Sequence, residues 1–118
     1  MKPLILVADD ERFFRKIVLQ ILNEKYEIRE AVNGCDVIEQ ARLWRPKLVI
    51  MDLAMPDCNG LEAIRKIRNE RLSCKILACT VHVAPHYRDS ALACGADAFL
   101  PKKMIFSQLQ PLVDKLCA

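Results

Sequence analysis

Leu48-Val49-Ile50-Met51 is an unbroken apolar run, and it stops on a carboxylate, Asp52. A run without polar relief reads as a strand covered on both faces, the habit of a parallel sheet. Parallel strands need crossover connections, so this feature predicts strands alternating with helices in a layered domain. It also says where chemistry would sit. Open parallel sheets bind ligands beyond the carboxyl ends of their strands. Asp52 stands at one such end. Leu4-Ile5-Leu6-Val7-Ala8 is a second apolar run, and it ends on Asp9-Asp10.

The remaining periodicities supply the alternation. Pro3 to Ala8 predicts the first strand. Glu11 to Asn23 predicts a helix with Phe14, Ile17, Val18, Ile21 and Leu22 on one stripe. Asp9 or Asp10 is available to cap it, but one aspartate suffices for a cap, so capping does not account for both. Tyr26 to Ala31 alternates apolar and polar residues, which places this strand at an edge. Asn33-Gly34 signals a turn, and Cys35 to Trp44 a helix with Val37, Ile38 and Ala41 inward, ended by Pro46. After the central strand, Lys47 to Asp52, Gly60 permits a tight backbone before a helix over Leu61 to Glu70.

Lys75 to Thr80 predicts a further buried strand, ending on a hydroxyl. Pro85 suits the first turn of a helix running to Cys94, and Gly95 stops it. Tyr87 and Leu92 are its only large apolar residues, so it is weakly anchored. Ala98-Phe99-Leu100 is a short strand, followed by Pro101 and Lys102. Ile105, Phe106, Leu109, Leu112, Val113 and Leu116 mark a last amphipathic helix, in which Pro111 removes a hydrogen bond or introduces a kink.

Five strand–helix units imply an α/β fold: a flavodoxin-like (βα)5 doubly wound parallel sheet with strand order 2-1-3-4-5. Strands one and three are then neighbours. Asp9, Asp10 and Asp52 converge, and Thr80 and Lys102 arrive from the next strands. Three carboxylates in one pocket repel one another unless a cation compensates. Mg²⁺ is the natural choice, being hard and satisfied by one or two carboxylates, waters and a phosphate oxygen. Lys102 adds a point charge for a phosphate oxygen and Thr80 a hydroxyl donor. Such a pocket suits a phosphoryl group, with a carboxylate as nucleophile.

Composition narrows the classes. With 118 residues, 53% hydrophobic and 28% charged, the chain fits one soluble domain spanning residues 1–118. A net charge of +3, with no aromatic-laced basic stripe, makes no case for nucleic acid. No run approaches membrane-spanning length, and the short apolar start is no secretory leader. The six cysteines contain no Cys-x-x-Cys and read as reduced, mostly buried thiols of a cytosolic protein. His82 and His86 are spaced like a helical metal pair, but Pro85 between them argues against one continuous helix.

In its Asp9-Asp10 pair, Met51-Asp52-Leu53-Ala54-Met55-Pro56 with Gly60, Cys79-Thr80, Gly95-Ala96-Asp97-Ala98-Phe99-Leu100 and Lys102, the sequence resembles a receiver domain of a two-component response regulator. The likeness covers nearly the whole chain, with every element in order on the expected strand end. It implies that Asp52 is the phosphoacceptor, supplied by a sensor histidine kinase or a histidine phosphotransfer protein. It implies Mg²⁺ held directly by Asp10, Asp52 and the backbone carbonyl of Ala54, and through water by Asp9. Lys102 would pair with the phosphoryl oxygen, Thr80 would move to bond it, and Phe99 would turn inward behind Thr80. The helix Pro85 to Cys94, the strand Ala98 to Leu100 and the last helix would then switch for a downstream protein target or an output domain. By the same resemblance the protein is a cytoplasmic monomer, and not an enzyme beyond assisting its own phosphorylation and dephosphorylation. No output domain is expected in this chain.

Two positions depart from the family pattern. Val81 replaces the usual small residue after Thr80 and is expected to narrow the approach to Asp52, with His82 flanking it. Lys103 replaces the proline that usually follows the lysine in a cis bond. Other classes compete. An aspartyl phosphatase or phosphotransferase wants a second Asp two positions on, where Ala54 stands. A flavin-binding fold wants a hydroxyl- and glycine-rich phosphate loop, where Asp9-Asp10-Glu11 repels. A non-phosphorylated receiver-like binding module is expected to lack part of the acidic set or Lys102, and here all are present.

Overall fold

The computed structural model describes residues Met1 to Ala118. The elements alternate: β1 (Leu4–Ala8), α1 (Arg12–Leu22), β2 (Glu27–Ala31), α2 (Gly34–Trp44), β3 (Leu48–Met51), α3 (Gly60–Asn69), β4 (Lys75–Thr80), α4 (Pro85–Cys94), β5 (Ala98–Pro101) and α5 (Ile105–Leu116). A single 3₁₀ turn, Lys102–Met104, joins β5 to α5. The sheet order is β2-β1-β3-β4-β5, and every pairing is parallel.

Successive side chains of a strand point to opposite faces, and here each face has its own core. Ile5, Val7, Leu48, Ile50 and Leu77 pack with α1 and α5, through Phe14, Val18, Leu109 and Val113. Leu6, Val49, Met51 and Ile76 pack on the other face with α2 and α3, through Val37, Ala63, Ile64 and Ile67. Burying one such side chain contributes about 1.5–3 kcal/mol. The unbroken run of β3 is therefore used twice, and the strand that carries Asp52 at its end is clamped from both sides. At the edge, β2 keeps only Ala31 fully buried, as its alternation foretold.

Helix ends differ from the sequence reading by one residue, for identifiable reasons. Asn33 caps α2 by accepting from the Asp36 N–H at 2.8 Å, and Asn59 caps α3 through the Glu62 N–H at 3.0 Å, so each helix opens on the glycine that follows. Neither glycine tolerates a side chain. A Cβ on Gly34 would lie 2.6 Å from the Cβ of Cys58, and one on Gly60 would lie 2.6 Å from the Cα of Leu53. No aspartate caps α1. Its N-cap residue is Glu11, without a side-chain bond, and Asp9 Oδ1 accepts the Glu11 N–H at 2.8 Å instead. α5 runs on through Pro111, and no cis peptide bond occurs, the Lys102-Lys103 bond included.

Of α4, only Ala91 is fully buried. Tyr87 and Cys94 pack partly against the core, and Leu92 is exposed. Segments with few buried apolar contacts open at the lowest free energies. Amide hydrogen exchange is therefore expected to be faster in α4 than in α1, α3 and α5. Protection equal across all helices would contradict this.

Candidate functional site

Each acidic side chain is placed by the backbone beneath it. The Asp52 N–H donates to the Ala8 carbonyl at 2.9 Å, and the Asp9 N–H donates to the Ala31 carbonyl at 3.1 Å, so the ladder of β3, β1 and β2 runs into the site. Beyond Asp52 the chain folds back tightly, with the Gly60 N–H donating to Leu53 at 3.1 Å. Asp9, Asp10 and Asp52 thus offer carboxylate oxygens within 4.8 Å of one another. Asp9 is fully buried and Asp52 nearly so, whereas Asp10 is exposed.

Lys102, delivered by the turn after β5, reaches across this group. Its Nζ lies 2.7 Å from Asp9 Oδ2 and 3.4 Å from Asp52 Oδ2. The same ammonium stands over the Phe14 ring, 4.2 Å from its centroid. The contact with Asp9 Oδ2 is one of charge without alignment, and no hydrogen-bond donor is directed at that buried oxygen. A buried carboxylate oxygen with only a poorly aligned ammonium for a partner is costly. Burial foremost, with the Asp52 charge adding to it, pushes the Asp9 carboxyl up to about 6 against the opposing effect of Lys102. Burial also works against the Lys102 ammonium, but Asp9 and Asp52 outweigh it and hold its pKa above the ordinary lysine value. The donor set therefore fits a hard divalent cation: clustered oxygens, one lacking a donor, and a surplus of negative charge.

Thr80 is fully buried at the end of β4, and its Oγ1 accepts the His82 N–H at 3.3 Å. A hydroxyl that accepts one bond still has its own proton to donate. His82 is half-buried and its ring stacks on Tyr87 of α4, with centroids 4.8 Å apart. His86 lies against the same ring at 4.2 Å, so the two histidines share a tyrosine. Phe99 is half-buried and packs against the α2–α3–α4 core. Val81 is 65% exposed, so it is not part of the interface between sheet and helix. Ala54 is exposed, and its N–H lies 3.3 Å from Asp52 Oδ1.

One supporting residue escaped the sequence reading. Arg15 is buried on α1, donates from Nη1 to the Asp9 carbonyl at 2.7 Å and from Nε to Glu30 Oε1 at 2.8 Å, and pulls the Glu30 carboxyl below the usual glutamate range. It ties the Asp9 backbone to β2. The signal was its place on the buried face of α1, three and seven residues before Val18 and Leu22. The larger of two cavities, about 450 Å³, lies at the amino ends of the strands among Leu4, Lys47, Lys75 and Leu116, far from this chemistry.

Residues 5–114 match the family described as response regulator receiver domain. The chain belongs to that family. This receiver is 34% identical to the chemotaxis protein CheY of Halobacterium salinarum over 86% of each chain. It is 38% identical to a protein-glutamate methylesterase/protein-glutamine glutaminase of Colwellia psychrerythraea, but the match covers 94% of the receiver and only 30% of that protein's length. Among solved structures, the response regulator TrrA of Thermotoga maritima, determined in complex with Mg(2+)-BeF, shares 37% identity with a TM-score of 0.87 over 98% of this chain and 99% of that one. A LuxR-family DNA-binding response regulator of Staphylococcus aureus gives a TM-score of 0.91 at 26% identity, over 98% and 99% of the two chains. The receiver is a signalling domain of two-component systems, with the doubly wound 2-1-3-4-5 sheet of that family. No helix is long and apolar enough to cross a membrane.

Proposed function

We propose that Asp52 accepts a phosphoryl group from the phosphohistidine of a sensor kinase or phosphotransfer protein. The observation that carries this reading is the Lys102 ammonium held between Asp9 and Asp52 while Asp9 Oδ2 lacks a hydrogen-bond donor. An Asp52 carboxylate oxygen attacks phosphorus, the phosphorus–nitrogen bond breaks, and the electron pair leaves with the imidazole. Asp10, Asp52 and the Ala54 carbonyl would hold Mg²⁺, with Asp9 contributing through water. When bound, the ion neutralises charge developing on the phosphoryl oxygens. TrrA, solved with Mg(2+)-BeF, supports a magnesium site in this fold.

Lys102, freed from part of its contact with Asp9, pairs with a phosphoryl oxygen, and Thr80 turns its proton toward another. Such a move loosens the His82 N–H bond and draws on α4 through the stack with Tyr87. Phe99 follows inward. One dianionic group thus biases the face built of α4, β5 and α5 for a protein partner or an output domain. The domain works in the cytoplasm as a monomer, with no nucleic acid or membrane contact of its own, and is not an enzyme apart from assisting transfer and loss of its own phosphoryl group. Incubation with a phosphorylated histidine kinase tests this. Label is expected to move to the receiver in the presence of Mg²⁺ and not to an Asp52→Asn receiver, and label that ignores either change would contradict it.

Val81 and His82 are the access residues. Because Val81 is exposed on the loop after Thr80, its truncation costs stability little, within about 0.5 kcal/mol. Its branched, stiff side chain, one residue beyond Thr80, is proposed to narrow the path that an in-line donor or water must take. Val81→Ala is expected to speed both acetyl-phosphate labelling and spontaneous phosphate loss by about tenfold, or roughly 1.4 kcal/mol of barrier. Unchanged rates would remove the gate.

A further inference from the structure

Cys35 and Cys58 have no part in the site so far described, and Gly34, the neighbour of Cys35, packs against Cys58. Cys58 lies in the loop that runs from Asp52 to Gly60, right after Asp57, whose φ is 67°. Gly34 lies hard against it, leaving no space for a Cβ on the glycine side. Cys35 is the next residue, one Cα step of about 3.8 Å further on. Its direction follows from its helix. Cys35 and Arg42 are two turns apart on one face of α2, and Arg42 donates from Nε to Glu70 Oε1, at the end of α3, at 2.6 Å. That face looks toward α3 and the loop leading into it, where Cys58 sits. Cys35 is exposed and Cys58 is buried. Burial first, then Glu62 and Cys35 itself, raise the Cys58 thiol above the ordinary cysteine range.

We infer that Cys35 and Cys58 form a reversible disulfide under peroxide, tying the first turn of α2 to the loop behind the phosphoacceptor. Cys35 Sγ, accessible to solvent, attacks one oxygen of hydrogen peroxide. The oxygen–oxygen bond breaks, water leaves, and Cys35 becomes a sulfenic acid. Cys58 Sγ, giving up its proton as it reacts, then attacks the Cys35 sulfur. The sulfur–sulfur bond forms, the sulfur–oxygen bond breaks, and a second water leaves. Two thiols give up two electrons and two protons, and the peroxide is reduced to water. In the reducing interior of a cell the bridge is transient, as regulatory disulfides are. Its consequence for signalling rests on the reading of Asp52 as phosphoacceptor. Pinning the loop shifts the Ala54 carbonyl and the Asp52 backbone, and displacements of about 1 Å cost roughly tenfold or more in a reaction that depends on position.

The test is treatment of the intact chain with hydrogen peroxide, alkylation of free thiols, and digestion without reductant. The expected product is a Cys35–Cys58 linked peptide that dithiothreitol restores to two thiols. It is lost in Cys35→Ser, an exposed position where folding is not at issue, and in Cys58→Ser. Labelling of the bridged protein by acetyl phosphate is expected to be about tenfold slower, and reductant is expected to restore it. Conversion of Cys35 to sulfinic acid, intermolecular dimers through Cys35, or a linked peptide involving another cysteine would each overturn the proposal. The linked peptide is read without phosphate, so its absence leaves the role of Asp52 untouched. A bridge in a protein that never labels would instead count against Asp52.

Discussion

Lys102→Met is expected to lower the stability of the metal-free receiver at pH 7 by about 2–4 kcal/mol, because removing one partner of a buried ion pair leaves the other charge uncompensated. The Lys102 side chain is 13% exposed and faces two carboxylates that burial already disfavours. Methionine keeps the stem that packs over Phe14, so the variant isolates the charge. The loss is bounded, since Asp9 can take up a proton once the ammonium is gone. For a domain of this size it corresponds to a fall in Tm of roughly 8–16 °C. Thermal melts in chelator and in Mg²⁺ check it, with Mg²⁺ expected to recover a large share. A variant that melts with the wild type in chelator would show that Lys102 is a solvated surface residue.

The second large effect is on pH. The Asp9 carboxyl sits at about 6 in the folded chain against an ordinary 3.8, chiefly because it is buried. A raised acid holds its proton more tightly when folded, so its contribution to stability is present below the ordinary value and lost as pH rises through about 6. The shift corresponds to about 3 kcal/mol in all, most of it lost between pH 4 and 7. Asp9→Asn removes that slope and retains an oxygen for the Glu11 N–H. The stability of Asp9→Asn relative to wild type is therefore expected to rise over this range in chelator, by denaturant unfolding at a series of pH values. Mg²⁺ favours the ionised pocket and is expected to reverse the wild-type trend. Asp10→Asn should keep the wild-type slope in chelator but lose much of the response to Mg²⁺. A full metal response in Asp10→Asn would sink the assignment of that residue.

Where local chemistry marks an element at both ends, the sequence was read to the residue. β4 runs from Lys75 to the buried hydroxyl of Thr80, and α4 from Pro85 to the residue before Gly95, both as expected. Buried strands were legible because two-sided burial leaves no polar residue in Leu48–Met51. The acidic cluster followed from topology, since order 2-1-3-4-5 sets β1 beside β3. What stayed hidden depends on contacts between segments far apart in the chain. Gly34 read as a turn signal, yet its role is to let α2 touch Cys58. Arg15 went unread, yet it donates to the Asp9 carbonyl. Val81 is apolar yet exposed, which its residue type does not announce. Asp9 looked like a second cap or a distant ligand. The structure buries it completely, with one oxygen lacking an aligned donor, which the sequence did not reveal.

The most direct measurement is peptide mapping of the receiver after acetyl phosphate and Mg²⁺. The site itself supplies positioning and charge compensation, so a small donor is enough without a kinase. One phosphoryl group is expected per chain, on the peptide carrying Asp52, absent with chelator and absent from Asp52→Asn. A phosphoryl group on Asp9, on Asp10 or on a histidine, or a mass gain that survives Asp52→Asn, would contradict the account.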